Sequence, residues 1–538
     1  FIPCSRIHKM SRNKTHQSIM ESKSLLCDYL VIGSGASTLA FIDTLLTEMP
    51  NTKVIVVDRK ARPGGHWVDD YDFVKLHQPS VVYGLASQQL EGNWLKLMFL
   101  KRMLPWKHRA SKNELLDYFG NFINKKVKSG HVQYFPECTY DFDKIRKSSD
   151  DDHKFTSLDG KHIYTVKVRE KLVNGVLGEC KIPILCPPKF EVHNGVNIIP
   201  PNALYNMKKI NIDTKHFVVL GCGKTAMDTI VFLQTELKIN PEMISWVIPN
   251  DVWMNIRDGP WEYMRVLLEC DGDEDKAATT MEKKGCFVRL DKNITPNRFR
   301  FPVIRKDELE LMQKIKNTIR RGRVSSIRPT DDESITVSFE NGREDWVLST
   351  SPSKEPIFVH CTSPGPFNGA TLPDEIFNFD QIINLELLYA PPISISMSCI
   401  AMLECARKMG TLDVNFGREL LQAGTIEVDK NASGNEVLCH LIRGFDLNID
   451  GVEVDFIDKL RPAINLAMFL ALVHSDPIVG YEWMKANRLS FFGIPGFKGG
   501  VVESLCLFME KKDILKVPES YLNIIQKLAE KLEPLKGK

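Results

Sequence analysis

The sequence predicts an α/β protein in which two parallel-sheet units share one chain with a mixed, partly helical C-terminal region. One supersecondary pattern, used twice, carries this prediction. An apolar run, a Gly-x-Gly turn, a helical run and a second apolar run follow one another between Tyr29 and Val57, and the same order returns between Phe217 and Ile248. This order is typical of a strand, a helix and a second, parallel strand.

The elements of the two units follow from their apolar runs and their breaking residues. In the first unit we predict strand Tyr29–Ile32, helix Ala36–Glu48 and strand Val54–Val57. The corresponding elements of the second unit are strand Phe217–Leu220, helix Thr225–Leu237 and strand Ile244–Ile248.

Other segments complete the prediction with shorter elements. These are a hairpin of His162–Val168 and Lys171–Val176, a helix over Asp307–Arg320, a β-meander with Val324–Ile327 and Ile335–Phe339, a buried strand Ile357–His360 and an amphipathic helix Tyr521–Leu532.

The first Gly-x-Gly turn has the residues that a dinucleotide pyrophosphate needs. Gly33 lets the chain turn sharply off the strand, and Gly35 lets the backbone approach the phosphate oxygens. The helix that begins at Ala36 directs backbone N–H groups and its positive dipole end at the anion. Asp58 ends the second strand, where a carboxylate accepts the ribose hydroxyl groups, and Arg59 follows it. We therefore predict a dinucleotide site here.

Two further features lie near this turn. Thr38 stands at the third position of the motif, where Gly or Ala is usual, and this predicts a looser fit of helix on strand. Beyond the second strand, Gly64 and Gly65 allow the backbone to lie against a bulky cofactor, with His66 and Trp67 beside it. A Pro-Gly-Gly segment taken alone is more often an ordinary loop.

The second turn repeats the chemistry with residues Gly221, Gly223, Lys224, Thr225 and Ala226. Ala226 is the accepted small residue at the third position, and Lys224 places a positive charge near the phosphates. The choice between a free ribose and a 2′-phosphate depends on the residues after the next strand. Asp251 favours the free ribose and Arg257 favours the phosphate, so NADH and NADPH both remain open; Arg298, Arg300 and Arg305 are further candidates.

With these two motifs, the sequence resembles the flavoproteins that carry two dinucleotide-binding domains, and among them the flavin-containing monooxygenase-like group. The segment His360–Gly365, which contains Thr362, resembles the strand that returns to the flavin domain. The resemblance implies a Rossmann-like FAD domain interrupted by an inserted NAD(P)H domain. The implied divisions are a disordered or targeting tail at 1–27, FAD domain at 28–205, NAD(P)H domain at 206–350, FAD return segment at 351–414, and a C-terminal region at 415–538 that the resemblance does not cover.

The resemblance also implies an activity. In that family NAD(P)H reduces bound FAD, and the reduced flavin uses molecular oxygen to oxygenate a small organic substrate. A loop with His77 and Gln78 lies where such proteins place a segment along the flavin, which makes these residues the polar candidates for catalysis. The Phe-x-Gly-x-x-x-His-x-x-x-Trp signature of Baeyer–Villiger and related monooxygenases is absent between the motifs. A flavin reductase or oxidase without oxygen insertion, and a non-catalytic FAD-binding redox sensor, therefore stay open.

Composition limits the other classes. The 70 basic and 68 acidic residues nearly balance, which disfavours nucleic acid as a partner. The 13 scattered cysteines contain no Cys-x-x-Cys pair, so we expect a reduced, cytoplasmic protein without a metal site. Basic residues near the start keep a mitochondrial location as an alternative. The longest late apolar run, Ile464–Val473, is half a membrane span, and we predict no transmembrane segment.

Overall fold

The computed structural model describes most of the chain in seventeen segments. They are residues 21–92, 108–142, 152–176, 180–209, 215–256, 263–298, 302–330, 334–349, 356–363, 376–378, 381–386, 388, 393–426, 429–441, 455–490, 501–510 and 519–537. The segment 1–20 of the expected tail lies outside the described residues.

The strands of the described residues form four sheets. They are β1 (Glu21–Ile32), β2 (Val54–Val57), β3 (Val132–Phe135), β4 (Cys138–Tyr140), β5 (Asp152–Ser157), β6 (His162–Asn174), β7 (Glu191–Val192), β8 (Ile198–Ile199), β9 (His216–Leu220), β10 (Ile244–Val247), β11 (Met254–Ile256), β12 (Phe287–Val288), β13 (Val303–Ile304), β14 (Asn317–Ile319), β15 (Val324–Pro329), β16 (Ser334–Phe339), β17 (Trp346–Ser349), β18 (Pro356–His360), β19 (Phe377–Asn378) and β20 (Ile382–Asn384).

The helices cover the remaining regular structure. They are α1 (Ala36–Glu48), α2 (Lys112–Lys128), α3 (Lys224–Thr235), α4 (Tyr263–Glu269), α5 (Glu274–Lys283), α6 (Lys306–Gln313), α7 (Ile393–Met409), α8 (Val414–Ala423), α9 (Gly434–Leu441), α10 (Asp455–Leu472), α11 (Pro477–Ala486), α12 (Val501–Glu510) and α13 (Glu519–Leu532).

The first sheet has the strand order β19-β20-β6-β1-β2-β3. Off this path, β5 pairs with β6, and β4 pairs with β5. Strand β1 pairs in parallel with β2, and α1 connects them as the sequence predicts. The second sheet has the order β14-β10-β9-β18-β8, and α3 connects the parallel strands β9 and β10. The α/β prediction with two parallel-sheet units is therefore confirmed.

Four sequence predictions need correction, because each depended on pairing between distant segments. Strand β1 begins at Glu21 rather than Tyr29, since its polar first half pairs with β6; residues 21–27 are thus strand, not tail. The expected hairpin is the single strand β6. The helix expected over Asp307–Arg320 ends at Gln313, and β14 follows. Strand β18 joins the second sheet beside β9 rather than returning to the first; β19 and β20 return instead.

The C-terminal helices complete the core of the first unit. Buried residues of α8 to α13 belong to one hydrophobic cluster with those of α1, α2 and α7. Polar contacts support this packing, because Trp483 Nε1 of α11 donates to Glu48 Oε1 of α1 at 3.0 Å. The Thr44 and Ser398 hydroxyls also meet at 2.7 Å between α1 and α7. The C-terminal region is therefore part of the first unit.

A buried ionic network fixes α7 against the first sheet. Glu404 is fully buried, and its carboxylate accepts hydrogen bonds from Lys171 Nζ (2.8 Å), from the Tyr29 hydroxyl (2.8 Å) and from Nε and Nη2 of Arg407 (2.8 and 2.6 Å). Burial raises the pKa of Glu404, but Arg407 and Lys171 outweigh burial and hold that pKa below its ordinary value. The carboxylate therefore stays ionised at neutral pH.

No single helix of the described residues is both long and apolar enough to cross a membrane. One bent pair, Ile464–Leu472 with Pro477–Ala486, meets the length and composition requirements only when taken together, and its two helices differ in direction by 114°.

We predict that Glu404→Gln destabilises the fold by about 3–5 kcal/mol, because it leaves the buried Lys171 ammonium without its counter-charge. Lys408→Met, which breaks a more exposed pair with Glu170, should cost less than about 1 kcal/mol. Urea unfolding measures both. The difference between parent and Glu404→Gln should shrink as pH falls below the ordinary carboxyl pKa, because a lowered folded pKa stabilises only above it. Equal losses at neutral pH would contradict the buried role of Glu404.

Candidate functional site

The first glycine turn brings two backbone segments into direct contact. Gly33 has a φ of 96° and ends β1, and Gly35 lies immediately before α1. A Cβ on Gly35 would meet the Gly65 Cα at 3.6 Å, and a Cβ on Gly65, whose φ is 59°, would meet the Gly35 Cα at 3.0 Å. The Gly64 N–H also donates to the Ser34 carbonyl at 2.9 Å. The loop that contains Gly65 therefore lies on the N-terminus of α1, with no side chain between them.

Asp58 lies at the end of β2, as the sequence predicts, and is 8% exposed. Its carboxylate accepts hydrogen bonds from the Ser34 N–H (2.5 Å), the Ser34 hydroxyl (2.6 Å) and the Lys60 N–H (2.7 Å). The carboxylate thus stabilises the glycine turn itself. A carboxylate offers about four acceptor positions, so one remains for a ligand. Arg59 is exposed beside it.

Sequence reasoning missed the residue that accommodates Thr38. A Cβ on Gly175, just after β6, would lie only 1.9 Å from the Thr38 Cγ2. The missing side chain at Gly175 therefore provides the room that Gly or Ala at the third motif position usually provides. In the second unit Ala226 fills the motif position, and Cys361 and Thr362 follow the neighbouring strand.

His66 and Trp67 follow Gly65 in a short 3₁₀ turn. Trp67 is buried, and its Nε1 donates to the Tyr83 hydroxyl at 2.9 Å with the rings edge to face. Loss of solvent around the imidazole lowers the pKa of His66, and the charge of the Lys60 ammonium lowers it further. Because 34% of the His66 side chain is exposed, solvent limits the lowering. The ring is neutral at pH 7.

His77 and Gln78 precede a second short 3₁₀ turn at Ser80–Val82. The His77 carbonyl accepts a hydrogen bond from Arg109 Nε at 3.1 Å. The Gln78 Nε2 is buried and has no hydrogen-bond partner among the described residues. A buried amide donor without an acceptor is costly, so this nitrogen is suited to a ligand acceptor.

The second glycine turn is more open than the first. Gly221 has a φ of 114° and ends β9, and Gly223 precedes α3. A Cβ on Gly223 would meet no atom of the described residues within 4 Å, whereas one on Gly221 would meet the Thr362 Cγ2 at 3.2 Å. Thr362 therefore lies at this second turn and not in the first unit. The open space above Gly223 is suited to a phosphate approaching the backbone.

Lys224 and Thr225 begin α3, and Ala226 is buried beneath them. Lys224 forms a close ion pair with Asp228 one turn later. The other oxygen of Asp228 accepts a hydrogen bond from the Tyr71 hydroxyl of the first unit at 2.9 Å. Lys224 is therefore held by the same carboxylate that contacts the first unit.

The two units contact each other through α3 of the second unit and the segment after Trp67 of the first. Besides the Tyr71–Asp228 hydrogen bond, Phe73 stacks on Phe232 of α3 with ring centroids 4.0 Å apart. Tyr71 lies four residues beyond Trp67, and Asp228 lies five residues beyond Gly223. The contact therefore joins the segment that follows the Gly65 loop to the helix that begins at the second glycine turn.

Ion pairing changes the interpretation of the residues after β10. Asp251 pairs with Arg320, with Arg320 Nε 3.0 Å from the Asp251 Oδ2. The helix predicted over Asp307–Arg320 would end at Arg320, but Arg320 directly follows β14, the parallel neighbour of β10. Arg305 forms an ion pair with Asp307 instead. The backbone of Arg298 forms an isolated β-bridge with that of Val252. Arg257 and Arg300 lie outside the described residues.

Asp70 is a buried carboxyl near the interface, 4.0 Å from His66 Nε2. Burial raises the pKa of Asp70 to about 6, and the charges of Asp228 and Asp69 act in the same direction. The Tyr71 N–H and the Lys112 ammonium oppose the rise. The interface thus contains a carboxyl group that titrates near neutral pH. Within the described residues, no group of three or more His, Cys, Asp or Glu side chains is arranged to hold a metal ion.

No family model matches the chain. Similar curated proteins include uncharacterized proteins of Mycobacterium bovis and Mycobacterium tuberculosis, each 30% identical over 359 residues, which is 64% of this chain and 61% of the relative. The chain thus spans about three fifths of the length of the curated relatives that it matches.

Solved structures similar to this chain include monooxygenases. Cyclohexanone monooxygenase with bound cyclohexanone has a TM-score of 0.44 at 13% identity, covering 72% of this chain and 88% of that chain. An ornithine N-hydroxylase of Kutzneria sp. 744, described with reduced FAD, NADP+ and ornithine, has a TM-score of 0.45 at 10% identity, covering 71% and 100%. The FAD-bound cadaverine monooxygenase of Erwinia amylovora has a TM-score of 0.41 at 12% identity, covering 71% and 94%.

We predict that Asp70→Asn stabilises the fold above pH 6 by about 2 kcal/mol, because the parent must bury a charged carboxylate there. A raised folded pKa favours the fold only at low pH, so the gain should disappear as pH falls below about 4. Thermal or urea unfolding across this range measures it. Asp72→Asn, at a side chain that is 52% exposed, is the control and should show no comparable pH-dependent gain. A constant difference at all pH values would contradict the burial argument.

Proposed function

We propose that this protein is an FAD-dependent oxidoreductase that takes hydride from NAD(P)H and oxygenates a small organic substrate with molecular oxygen. One observation carries the proposal: two glycine turns each precede a helix at the end of a parallel strand, and the Tyr71–Asp228 hydrogen bond joins the segment after the Gly65 loop to the helix of the second turn. Two dinucleotides bound at such turns direct their redox rings toward a shared interface.

FAD is the cofactor proposed for the first turn. Gly33, Gly35 and Ala36 would hold its phosphates, with the Gly65 backbone alongside. The fit rests on the Gly35–Gly65 contact, where two backbone segments meet without a side chain of either glycine between them. Asp58 keeps one acceptor position for a ribose hydroxyl group, and Arg59 is exposed beside it.

The ring end of the same cofactor is proposed to lie against the loop that contains His66 and Trp67. The buried Gln78 Nε2 supports this placement, because a flavin presents several acceptor atoms along its edge. His77 and Gln78 remain the candidate catalytic residues. Bound FAD supplies hydride acceptance and the reaction with oxygen, whereas the protein orients the substrate and excludes water from the interface.

NAD(P)H is proposed for the second turn. Gly221 and Gly223 would receive its phosphates, and the absence of any atom within 4 Å of a Gly223 Cβ supports this. Lys224, Thr225 and Ala226 form the first turn of α3, and Thr362 lies beside Gly221. Lys224 is already neutralised by Asp228, so its role at the phosphates requires that this ion pair rearranges or is shared.

A cytoplasmic location is also proposed. Most cysteines of the described segments are buried, and none of those segments contains a disulfide bond between them, which suits a reducing compartment.

The decisive experiment is the visible spectrum of the purified protein before and after anaerobic addition of NADPH or NADH. A flavin spectrum that bleaches supports the electron-transfer function. Incorporation of an oxygen isotope from labelled molecular oxygen into the product then supports oxygenation. Hydrogen peroxide formed in an amount equal to the NAD(P)H consumed supports an oxidase. A flavin that no nicotinamide reduces would leave a redox sensor, and a protein that neither contains nor binds flavin contradicts the proposal.

Two matched glycine variants assign the cofactors to the two turns. Gly35→Val should yield colourless protein, because its branched side chain fills the contact with Gly65. Gly223→Val should fold and stay yellow, because its Cβ has room, yet resist reduction by NAD(P)H. The spectrum of each variant, before and after anaerobic NAD(P)H and then after dithionite as the chemical control, measures both effects. Flavin loss in Gly223→Val alone would reverse the assignment.

The Asp251–Arg320 pair is proposed to set the choice between NADPH and NADH. Arg320→Gln should lower kcat/KM for NADPH relative to NADH by at least about tenfold, because a cation next to a 2′-phosphate is lost. Asp251→Asn should shift the ratio toward NADPH. Stopped-flow reduction with both nucleotides measures the ratio. An unchanged ratio in Arg320→Gln would place the ribose elsewhere.

A further inference from the structure

A short loop links the C-terminal region to the first glycine turn. We define the strap as residues Ser80–Leu85, which begin with the 3₁₀ turn after Gln78 and Pro79. Tyr83 in the strap accepts the Trp67 Nε1 hydrogen bond, and Trp67 belongs to the turn that places Gly65 on α1. The strap therefore supports the residues proposed to face the flavin.

Arg488, just after α11, binds the strap through both terminal nitrogens of its guanidinium group. Its Nη1 donates to the Leu85 carbonyl at 2.6 Å and to the Tyr83 carbonyl at 3.3 Å. Its Nη2 donates to the Ser80 carbonyl at 3.1 Å and to Glu91 Oε2 at 3.1 Å. One side chain thus binds three carbonyls across the strap, which requires the planar fork of arginine.

Both members of this ion pair are shielded from solvent. The side chain of Arg488 is 17% exposed and that of Glu91 is 6% exposed. Bonds to a charged donor in such surroundings are stronger than ordinary backbone hydrogen bonds. The strap conformation therefore depends on a residue that lies more than 400 positions away in the sequence.

Two other elements hold the N–H groups of the strap. The Ser394 hydroxyl, at the start of α7, accepts from the Gly84 N–H at 3.1 Å. The Tyr118 hydroxyl, on α2, accepts from the Leu85 N–H at 3.0 Å. Gly84 has a φ of 97°, and a Cβ there would lie 2.8 Å from the Tyr118 ring. Arg488 thus holds the carbonyl side of a segment whose opposite side is packed.

We infer that Arg488 is a positioning residue for the first cofactor site, so that the C-terminal region sets the loop that carries Gln78, Tyr83 and, through Tyr83, Trp67. The cofactor part of this inference rests on the proposed function. The strap geometry itself does not depend on any bound group.

The test compares Arg488→Gln with two matched variants of the full chain. Arg418→Gln removes another C-terminal arginine, whose Nη2 donates to the Ala432 carbonyl at 2.7 Å, away from the strap. Glu91→Gln removes the counter-charge and keeps the three carbonyl bonds. Hydrogen–deuterium exchange of peptides covering the strap, FAD titration and the flavin spectrum are measured for each. Arg488→Lys replaces Arg488→Gln if the latter does not fold.

Arg488→Gln should increase exchange at the strap, weaken FAD binding by about tenfold or more, and shift the flavin absorption bands, because one charged bond is worth about a factor of ten. Arg418→Gln should match the parent in all three, and Glu91→Gln should keep the parent spectrum. Unchanged strap exchange in Arg488→Gln would overturn the inference, whatever the parent binds. Faster exchange with parental FAD affinity and spectrum would overturn its cofactor part. A parent that binds no flavin refutes the proposed function instead and overturns the cofactor part, while the exchange result decides the anchoring.

Discussion

The candidate site depends on one constraint, the turn from a parallel strand into a helix within three residues. At this turn the backbone must reverse and approach a neighbouring segment closely. The first unit meets the constraint with Gly33, Gly35 and Gly65, and Asp58 ties the turn to the end of β2. The second unit meets it with Gly221 and Gly223 and leaves more space. The difference between a closed and an open turn is the main physical distinction between the two proposed cofactor sites.

Local patterns predicted the parts of the molecule that depend on adjacent residues. The bounds of α1 and β2, the two Gly-x-Gly turns and the position of Asp58 at a strand end all follow from short-range rules, because steric and periodic constraints act within a few residues. The meander of β15 to β17 was predictable for the same reason. Turn residues in the short connections between antiparallel neighbours indicate where one strand ends and the next begins.

Pairing across long separations was not predictable from one sequence. The polar start of β1 becomes strand only because β6 lies beside it, and β18 joins β9 although the family resemblance placed it elsewhere. The need for glycine at position 175 becomes clear only from the fold, because the Thr38 side chain occupies the space of a Cβ there. Arg320 and Arg488 give no local signal, since each acts on an acceptor from a distant segment. Their roles are properties of the folded chain.

The shared core of the first unit has a consequence for how the protein is made. Tyr29 and Leu39 are buried in the same cluster as Ile525 and Leu532, whereas the core of the second unit comes from residues between Leu204 and Cys361. A ribosome delivers the chain from its N-terminus, and domains fold as their sequence emerges. The second unit therefore has its full sequence available while the first still lacks the helices that cover α1. The part synthesised first is the part finished last, and its apolar helix surface is the natural contact for a chaperone on the nascent chain.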